Sequence, residues 1–425
     1  FRREWLHTIG YPTVHVDDRY DSAGRRLDVT LTQERSGEGG LFDLPVELAA
    51  VDAEGRDIPG SKQLVRLRDR AAQVVIEDVD RPAFLSVNRD CSFYGTLSYE
   101  RTDPRELLAQ VRLDSNAFNR VEAMRRLTDV ERIGLVRDDA HAIGTEWLDA
   151  WGELLRDTSI EPGVKSFLLR IDEQSLDRSL LPFYPQRARA RDRLLRTLAG
   201  TFRDDLLSVY HAVDTYRRAA EPKDGIDARR LKAVLLQTLI AADDREVQEL
   251  AEAHFHRAWN ITDRLSALRA VHGSSHPGRL ALLDEAYDAW HPHLTAYTNY
   301  LAVIGAGRHA DTFDLMAREE RRSTFRLEHP GHNRALFLPM AANNHLLWTG
   351  QGIDWLTRTV IRMAPINENT ANRLAAAFQL VDRLPPDLEP RVRAALQSMR
   401  AQVDASQAPS VVGRLDAYLR TGRDC

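Results

Sequence analysis

Few side chains in this 425-residue sequence stand at spacings that could do chemistry. His254 and His256 are two residues apart in a segment, 247–258, with helical periodicity. On a helix that spacing turns the two imidazoles to different faces, so joint metal ligation is not expected. His329-Pro330-Gly331-His332 could clip a metal from a loop, yet no carboxylate or thiol is placed to complete the set, and it reads as a solvated turn. Leu301-Ala302-Val303-Ile304-Gly305-Ala306-Gly307-Arg308-His309-Ala310 imitates a strand followed by G-x-G-x-x-A. Dinucleotide binding would need a strand–turn–helix unit with an acidic residue about 20 positions on. Here 293–304 continues a helical pattern, so the glycines read as a helix C-cap at Gly305 or Gly307. In Gly273-Ser274-Ser275-His276-Pro277-Gly278, Pro277 breaks the nucleophile-elbow pattern. Asn260-Ile261-Thr262 fits a glycosylation sequon but lies in a helix corner and reads as structural.

Composition narrows the options further. The length allows two or more domains, and 43% hydrophobic with 28% charged residues is ordinary for a globular protein. A net charge of −5 argues against a nucleic-acid footprint. Only four of the 58 basic residues are Lys (Lys62, Lys165, Lys223 and Lys232), and Arg suits carboxylate recognition. Cys91 and Cys425 are the only cysteines, too few for a disulfide framework or a thiolate metal cluster. No apolar run approaches the roughly 20 residues of a bilayer span. The sequence opens Phe-Arg-Arg-Glu-Trp, without an initiator Met or a signal-peptide core, and is expected to be part of a longer polypeptide.

The elements that would position any site change character near residue 102. Up to about 101, strands are expected at 13–20, 26–34, 44–51, 63–67, 73–79, 83–87 and 92–99, with Asp21-Ser22-Ala23-Gly24 as a turn. Seven short, turn-punctuated strands suggest a β-sandwich. Thr102 or Asp103 then caps a helix with Pro104 at its first position. Helices follow at 117–136, 143–156, 164–171, 187–212, 228–242, 245–258, 261–271 and 278–290. The series continues at 294–304, 312–322, 334–344, 355–363, 368–383, 390–402 and 411–419. In the 261–271 helix, Ile261, Leu265, Leu268 and Val271 form the apolar face, with Thr262 or Asp263 as its cap. Short helices joined by tight turns fit an α-solenoid of stacked pairs. The expected domains are 1–101, an immunoglobulin-like β-sandwich, and 102–425, an α-α superhelical (ARM/HEAT-like) solenoid.

Six stretches, in register along the chain, carry a resemblance. Trp5 with Gly10-Tyr11-Pro12-Thr13-Val14 is similar to "W…G-T-P-x-V", and Leu27-Asp28-Val29-Thr30-Leu31-Thr32-Gln33 to "Y-x-L-T-L-x-Q". Ala117-Phe118-Asn119-Arg120-Val121-Glu122-Ala123 resembles "F-x-R-W-E-A", and 229–236 resembles "R-x-L-x-N-x-x-L". Trp259-Asn260-Ile261-Thr262-Asp263-Arg264-Leu265-Ser266-Ala267-Leu268 resembles "N-N-M-T-D-x-L-x-A-L", and 367–374 resembles "N-P-Q-x-A-x-R-L". Together they resemble the C-terminal half of the aminopeptidase N family of zinc-dependent alanyl aminopeptidases (gluzincins): its immunoglobulin-like third domain and all-helical fourth domain. Two departures point to a divergent branch. The family's "N-R-G-F-S-A-P-V" is replaced by Asn88-Arg89-Asp90-Cys91-Ser92-Phe93-Tyr94-Gly95, and its "D-K-W-F" helix by Thr295-Ala296-Tyr297-Thr298-Asn299-Tyr300.

The resemblance implies a parent reaction, release of N-terminal amino acids by a zinc-bound water. Neither His-Glu-x-x-His nor the family's Gly-x-Met-Glu-Asn loop occurs in this sequence. In the family both precede the region matched here, so no catalytic or metal-binding residue is expected in this chain, and zinc is expected in the missing catalytic domain. The implied partners are that N-terminal catalytic domain and short peptides, with neither nucleic acid nor membrane, in a bacterial cytoplasm. The implied role is to cap the catalytic domain, limit access to short peptides and hold the substrate's distal end. Arg334 and Arg373 match cavity-facing basic residues of the family, suited to gripping a peptide carboxylate. Asn369, one helical turn before Arg373, could hydrogen-bond peptide backbone. Spacing alone gives both arginines a blander role, pairing with acidic neighbours between helices. A different class of function stays open beside this one, a stand-alone helical-repeat scaffold binding a protein or peptide partner.

Overall fold

Alternating polarity builds the first hairpin of the computed structural model, which describes residues 2–99, 103–172, 178–213 and 225–420. Strands β1 (Pro12–Asp21) and β2 (Arg26–Arg35) pair antiparallel, Pro12 opposite Arg35 and Asp21 opposite Arg26. The turn is held by Asp21 Oδ1, which accepts from Ala23 N at 3.0 Å. Period-two patterning sends Val14, Val16, Leu27, Val29 and Leu31 inward. Then come β3 (Leu44–Val51), β4 (Gln63–Leu67), β5 (Ala71–Ile76), β6 (Phe84–Val87) and β7 (Thr96–Tyr99). They form two sheets, β5-β2-β1-β7 and β4-β3-β6, with β1 and β7 parallel and every other pair antiparallel. The facing sheets enclose Val14, Leu27, Leu31, Leu44, Val46 and Leu48, each contributing about 1.5–3 kcal/mol by burial. Buried Gln33 crosses this core with its amide used at both ends: it donates to Phe42 O and Asp69 O and accepts from Phe42 N.

The last strand is shorter than the 92–99 expected. Asn88, Asp90 and Cys91 all take left-handed backbone angles around a single short turn, Arg89–Cys91. Asn88 Oδ1 accepts from Ser92 Oγ and Phe93 N, both at 3.1 Å, which commits that backbone to the loop. Asp90 stands where the resembled family has glycine, the residue such a φ favours. Its carboxylate is held by Asn116 Nδ2 at 2.7 Å, a contact glycine could not make.

Asp103 caps the helix Pro104–Leu113 by accepting from Arg105 N at 2.8 Å; the other candidate, Thr102, lies outside the described residues. So does the expected domain boundary at 101/102. Compactness divides the chain into residues 1–131 with 142–170, and residues 132–141 with 171–425. The first unit holds the sandwich with Pro104–Leu113, most of Ala117–Arg137, Thr145–Arg156 and Pro162–Leu168. The second is a helical repeat region running to Pro409–Arg420.

Several helices differ from their expected spans, and in three the packing or capping shows why. The 187–212 run is two helices, Tyr184–Thr201 and Arg203–Ala212, broken where Phe202 leaves helical geometry with its ring buried. The 368–383 run ends as a helix at Ala375 and continues as tight turns that bury Phe378 and Val381. The 334–344 helix instead spans Pro330–Ala341, with Pro330 at its first turn and His329 as its cap.

The hairpin Arg245–Arg257 and Ile261–His272 corrects the assigned cap. Asn260, not Thr262 or Asp263, is the N-cap: its Oδ1 accepts from Asp263 N at 2.9 Å and its Nδ2 donates to Asp263 Oδ2 at 3.0 Å. Asn260→Ala is expected to cost about 1–2 kcal/mol in urea unfolding; a change within about 0.5 kcal/mol, typical of a surface site, would contradict this role.

Candidate functional site

The three residues proposed to meet substrate sit on two helices of the second unit. Asn367 caps Glu368–Ala375 by accepting from Thr370 N at 2.9 Å. With Thr370, Ala371 and Leu374 turned inward, Asn369 and Arg373 lie exposed, one turn apart. Arg334, half-buried on Pro330–Ala341, donates from Nη2 to Asn369 Oδ1 at 3.1 Å and from Nε to Thr370 Oγ1 at 3.3 Å. Thr370 donates onward to buried Asn333 at 3.0 Å, and Asn333 to Leu327 O at 2.9 Å.

Arg334 and Asn369 are therefore brought together, whereas Arg373 makes no hydrogen bond or ion pair among the described residues. Among the described residues neither arginine pairs with an acidic neighbour, the blander role spacing suggested. Arg334 is held by neutral partners that orient its guanidinium without cancelling its charge. Such an arrangement can bind a carboxylate; it offers no nucleophile and no proton donor near neutral pH.

The histidines do structural work. Buried His254 shares a 2.5 Å hydrogen bond with the Tyr210 hydroxyl, and Lys232 Nζ lies 4.6 Å from the centre of that ring. Burial, and then the Lys232 charge, push His254 down to about 4. His256 faces outward to Glu285 at 3.5 Å, so the two rings do diverge. At the His329–His332 corner the expected solvated turn is not found. His332 is buried and accepts from Arg326 N at 3.1 Å, while His329 accepts from Gly331 N and caps the helix. The sequence does carry the signal, since Pro330 fits a helix start better than a loop. Among the described residues, no group of three or more His, Cys, Asp and Glu side chains is arranged to hold a metal ion.

The glycine pair also has a different reason from the one expected. Ala306 is the C-cap of Leu294–Gly305, and neither Gly305 nor Gly307 has a positive φ. A Cβ on Gly305 would lie 2.2 Å from Leu336 O, and one on Gly307 would lie 2.5 Å from Thr312 Oγ1 and 2.7 Å from His272 Nε2. Close approach excludes a side chain at both.

Sequence reasoning missed one buried acid. Glu319 is fully buried, accepts from the Tyr300 hydroxyl at 2.9 Å and pairs with Arg322, whose guanidinium lies 3.4 Å over the Tyr287 ring. Burial raises the Glu319 carboxyl even though Tyr300 and Arg322 pull it down. A signal existed: Glu319 continues the Thr312, Leu315, Met316 stripe, an acid on an apolar face.

A family profile described as "Domain of unknown function (DUF3458_C) ARM repeats" matches residues 104–410, and one described as "Domain of unknown function (DUF3458) Ig-like fold" matches residues 10–100. The chain belongs to this family. Aminopeptidase N of Escherichia coli K12 is 24% identical over 422 residues, covering 94% of this chain and 48% of that protein. Aminopeptidase N of Caulobacter vibrioides is 26% identical over 417 residues, covering 95% and 48%. The chain thus spans about half the length of the curated relatives it matches, and corresponds to the C-terminal half of aminopeptidase N. Aminopeptidase A of Legionella pneumophila, solved in complex with aspartic acid, shares the fold at a TM-score of 0.81 and 18% identity, over 96% of this chain and 49% of that one. Among the described residues no helix is long and apolar enough to cross a membrane.

Proposed function

We propose that the chain, as a sandwich over 1–101 and a solenoid over 102–425, is the non-catalytic C-terminal portion of an aminopeptidase N-like zinc metallopeptidase. Its match along nearly its whole length to half of aminopeptidase N is the observation that carries this reading. The zinc, its His-Glu-x-x-His ligands and the activated water belong to the other half of the protein. This chain's contribution is to cap that half, limit the cavity to short peptides and grip the substrate's far end. Arg334, already oriented by Asn369 and Thr370, meets a peptide carboxylate with little further ordering, and exposed Arg373 adds a second positive charge.

The test combines this chain with the separately produced catalytic half. Association should change kcat/KM for tri- to pentapeptides, and two halves that neither bind nor alter it would defeat the reading. In the assembled enzyme, Arg373→Ala should raise KM about tenfold for peptides, the loss of one charge-assisted hydrogen bond. Small amide substrates, lacking a distal carboxylate, should be nearly unaffected. Equal changes for both would mark Arg373 as merely structural.

A further inference from the structure

In a stack of helix pairs each pair touches the next, and nothing in that plan ties early helices to later ones. Here such a tie exists within the second unit. Arg308 Nη1 donates to Asp192 Oδ1 at 2.9 Å across 116 residues of chain, and His345 Nε2 lies 3.7 Å from Asp192 Oδ2. Beside them the Tyr184 and Trp348 rings stack, their centroids 4.1 Å apart and their planes 11° from parallel. Asp192 and Tyr184 share one helix, Tyr184–Thr201; their partners come from the linkers that follow Leu294–Gly305 and Pro330–Ala341.

Both linkers are anchored where they present these groups. Asn343 Nδ2 donates to Gly307 O at 2.6 Å, Arg279 pairs with Asp311, and Trp348 Nε1 donates to Asn344 Oδ1 at 3.2 Å. Arg308 is thus displayed from the glycine-bearing segment whose pattern suits no nucleotide. The carboxylate of Asp192 faces Arg191 at 3.9 Å as well as Arg308 and His345.

We propose that Asp192 is the keeper of a latch that ties the Tyr184–Thr201 helix back to the 306–311 and 342–349 linkers and holds the helical stack in its closed form. The ion pair is partly reached by water, and such pairs are individually weak, so the latch can release without unfolding the helices it joins. This inference concerns the chain alone and stands apart from the peptidase reading.

Amide hydrogen exchange on the full chain tests it. Asp192→Arg, which sets a like charge against Arg308, should speed exchange about tenfold over both 184–201 and 342–349 while leaving the β1–β3 amides unchanged. Arg308→Asp should do the same. Combining the two restores opposite charges and should return both segments to near wild-type protection; this variant also keeps the test open if a single substitution fails to fold. Wild-type exchange in the single variants, acceleration on one side only, or a combination as fast as the single variants would overturn the latch.

Discussion

Lowering the pH from about 6.5 to about 4 should remove up to about 6 kcal/mol of folding stability, about 3 kcal/mol from each of two buried histidines. His254 and His272 are both pushed down to about 4, chiefly by burial. For His254 the nearby Lys232 and Arg257 charges add to it, and for His272 the Arg279 and His309 charges. Geometry agrees: Arg279 Nη1 is 3.4 Å from His272 Nδ1, and a guanidinium can only donate, so that nitrogen accepts and the ring is neutral. Because the folded pKa lies below the unfolded one, the unfolded chain binds more protons between pH 6.5 and 4, so stability falls as pH falls through that window. With both rings charged in the unfolded state alone, the slope approaches about 2.7 kcal/mol per pH unit. His332, also lowered by burial, acts in the same direction. Glu319 and Glu320 oppose it, because burial raises their carboxyls and the folded protein takes up those protons first. Urea midpoints measured from pH 7 to 4 check the result, and His272→Gln should shallow the slope by roughly half. A profile that His272→Gln leaves unchanged would mean that this ring is not held neutral in the fold.

Most of the sandwich was legible because its information is local. Alternating polarity marks the first two strands, the breakers Glu54-Gly55 and Ile58-Pro59-Gly60 separate β3 from β4, whose observed ends match those expected, and Asp103-Pro104 marks the first long helix. What escaped depends on tertiary partners. The break at Phe202 follows from where its ring is buried, and the need for Gly305 is set by Leu336 O on another helix. Arg334 and Asn369 are 35 residues apart in sequence, and only the packing of their two helices joins them. Resemblance points to Arg334 and Arg373, and helical spacing from Arg373 points to Asn369; spacing alone favours acidic partners for the two arginines, and none is found among the described residues. The capping error at Asn260 was avoidable: Asn followed three residues later by an acid is itself a helix-start pattern.

Arg89→Ala should cost about 3 kcal/mol, the low end for removing one partner of a buried ion pair, because Asp57 stays about a third exposed to water. Arg89 is 5% exposed and grips Asp57 with both Nη atoms at 2.7 Å, while its Nε donates to Ser86 Oγ at 3.0 Å. The guanidinium holds the Asp57 carboxyl below its ordinary range. The same Ser86 hydroxyl donates to Asp114 Oδ2 at 2.8 Å and accepts from Asn119 Nδ2 at 2.8 Å. Asp114, fully buried at its side chain, lies 4.0 Å from Arg89, so the cation balances one acid directly and a second nearby. Removing it leaves a buried carboxylate without that balance at the point where strand β6 meets the first helices of its own unit. Arg89→Met separates charge from bulk: it keeps much of the packing and should still lose most of the stability. Adding Asp114→Asn to Arg89→Ala should recover at least about 1 kcal/mol, because contacting charges couple. Strict additivity, or a loss below about 1 kcal/mol for Arg89→Ala, would place the pair among the weak surface bridges instead. The left-handed turn at Asn88, Asp90 and Cys91 gives a further reason to expect more than a surface bridge's loss. Backbone in that region persists only where its surroundings over-determine it, and the grip of Arg89 on Asp57 and Ser86 is one of the contacts that do so.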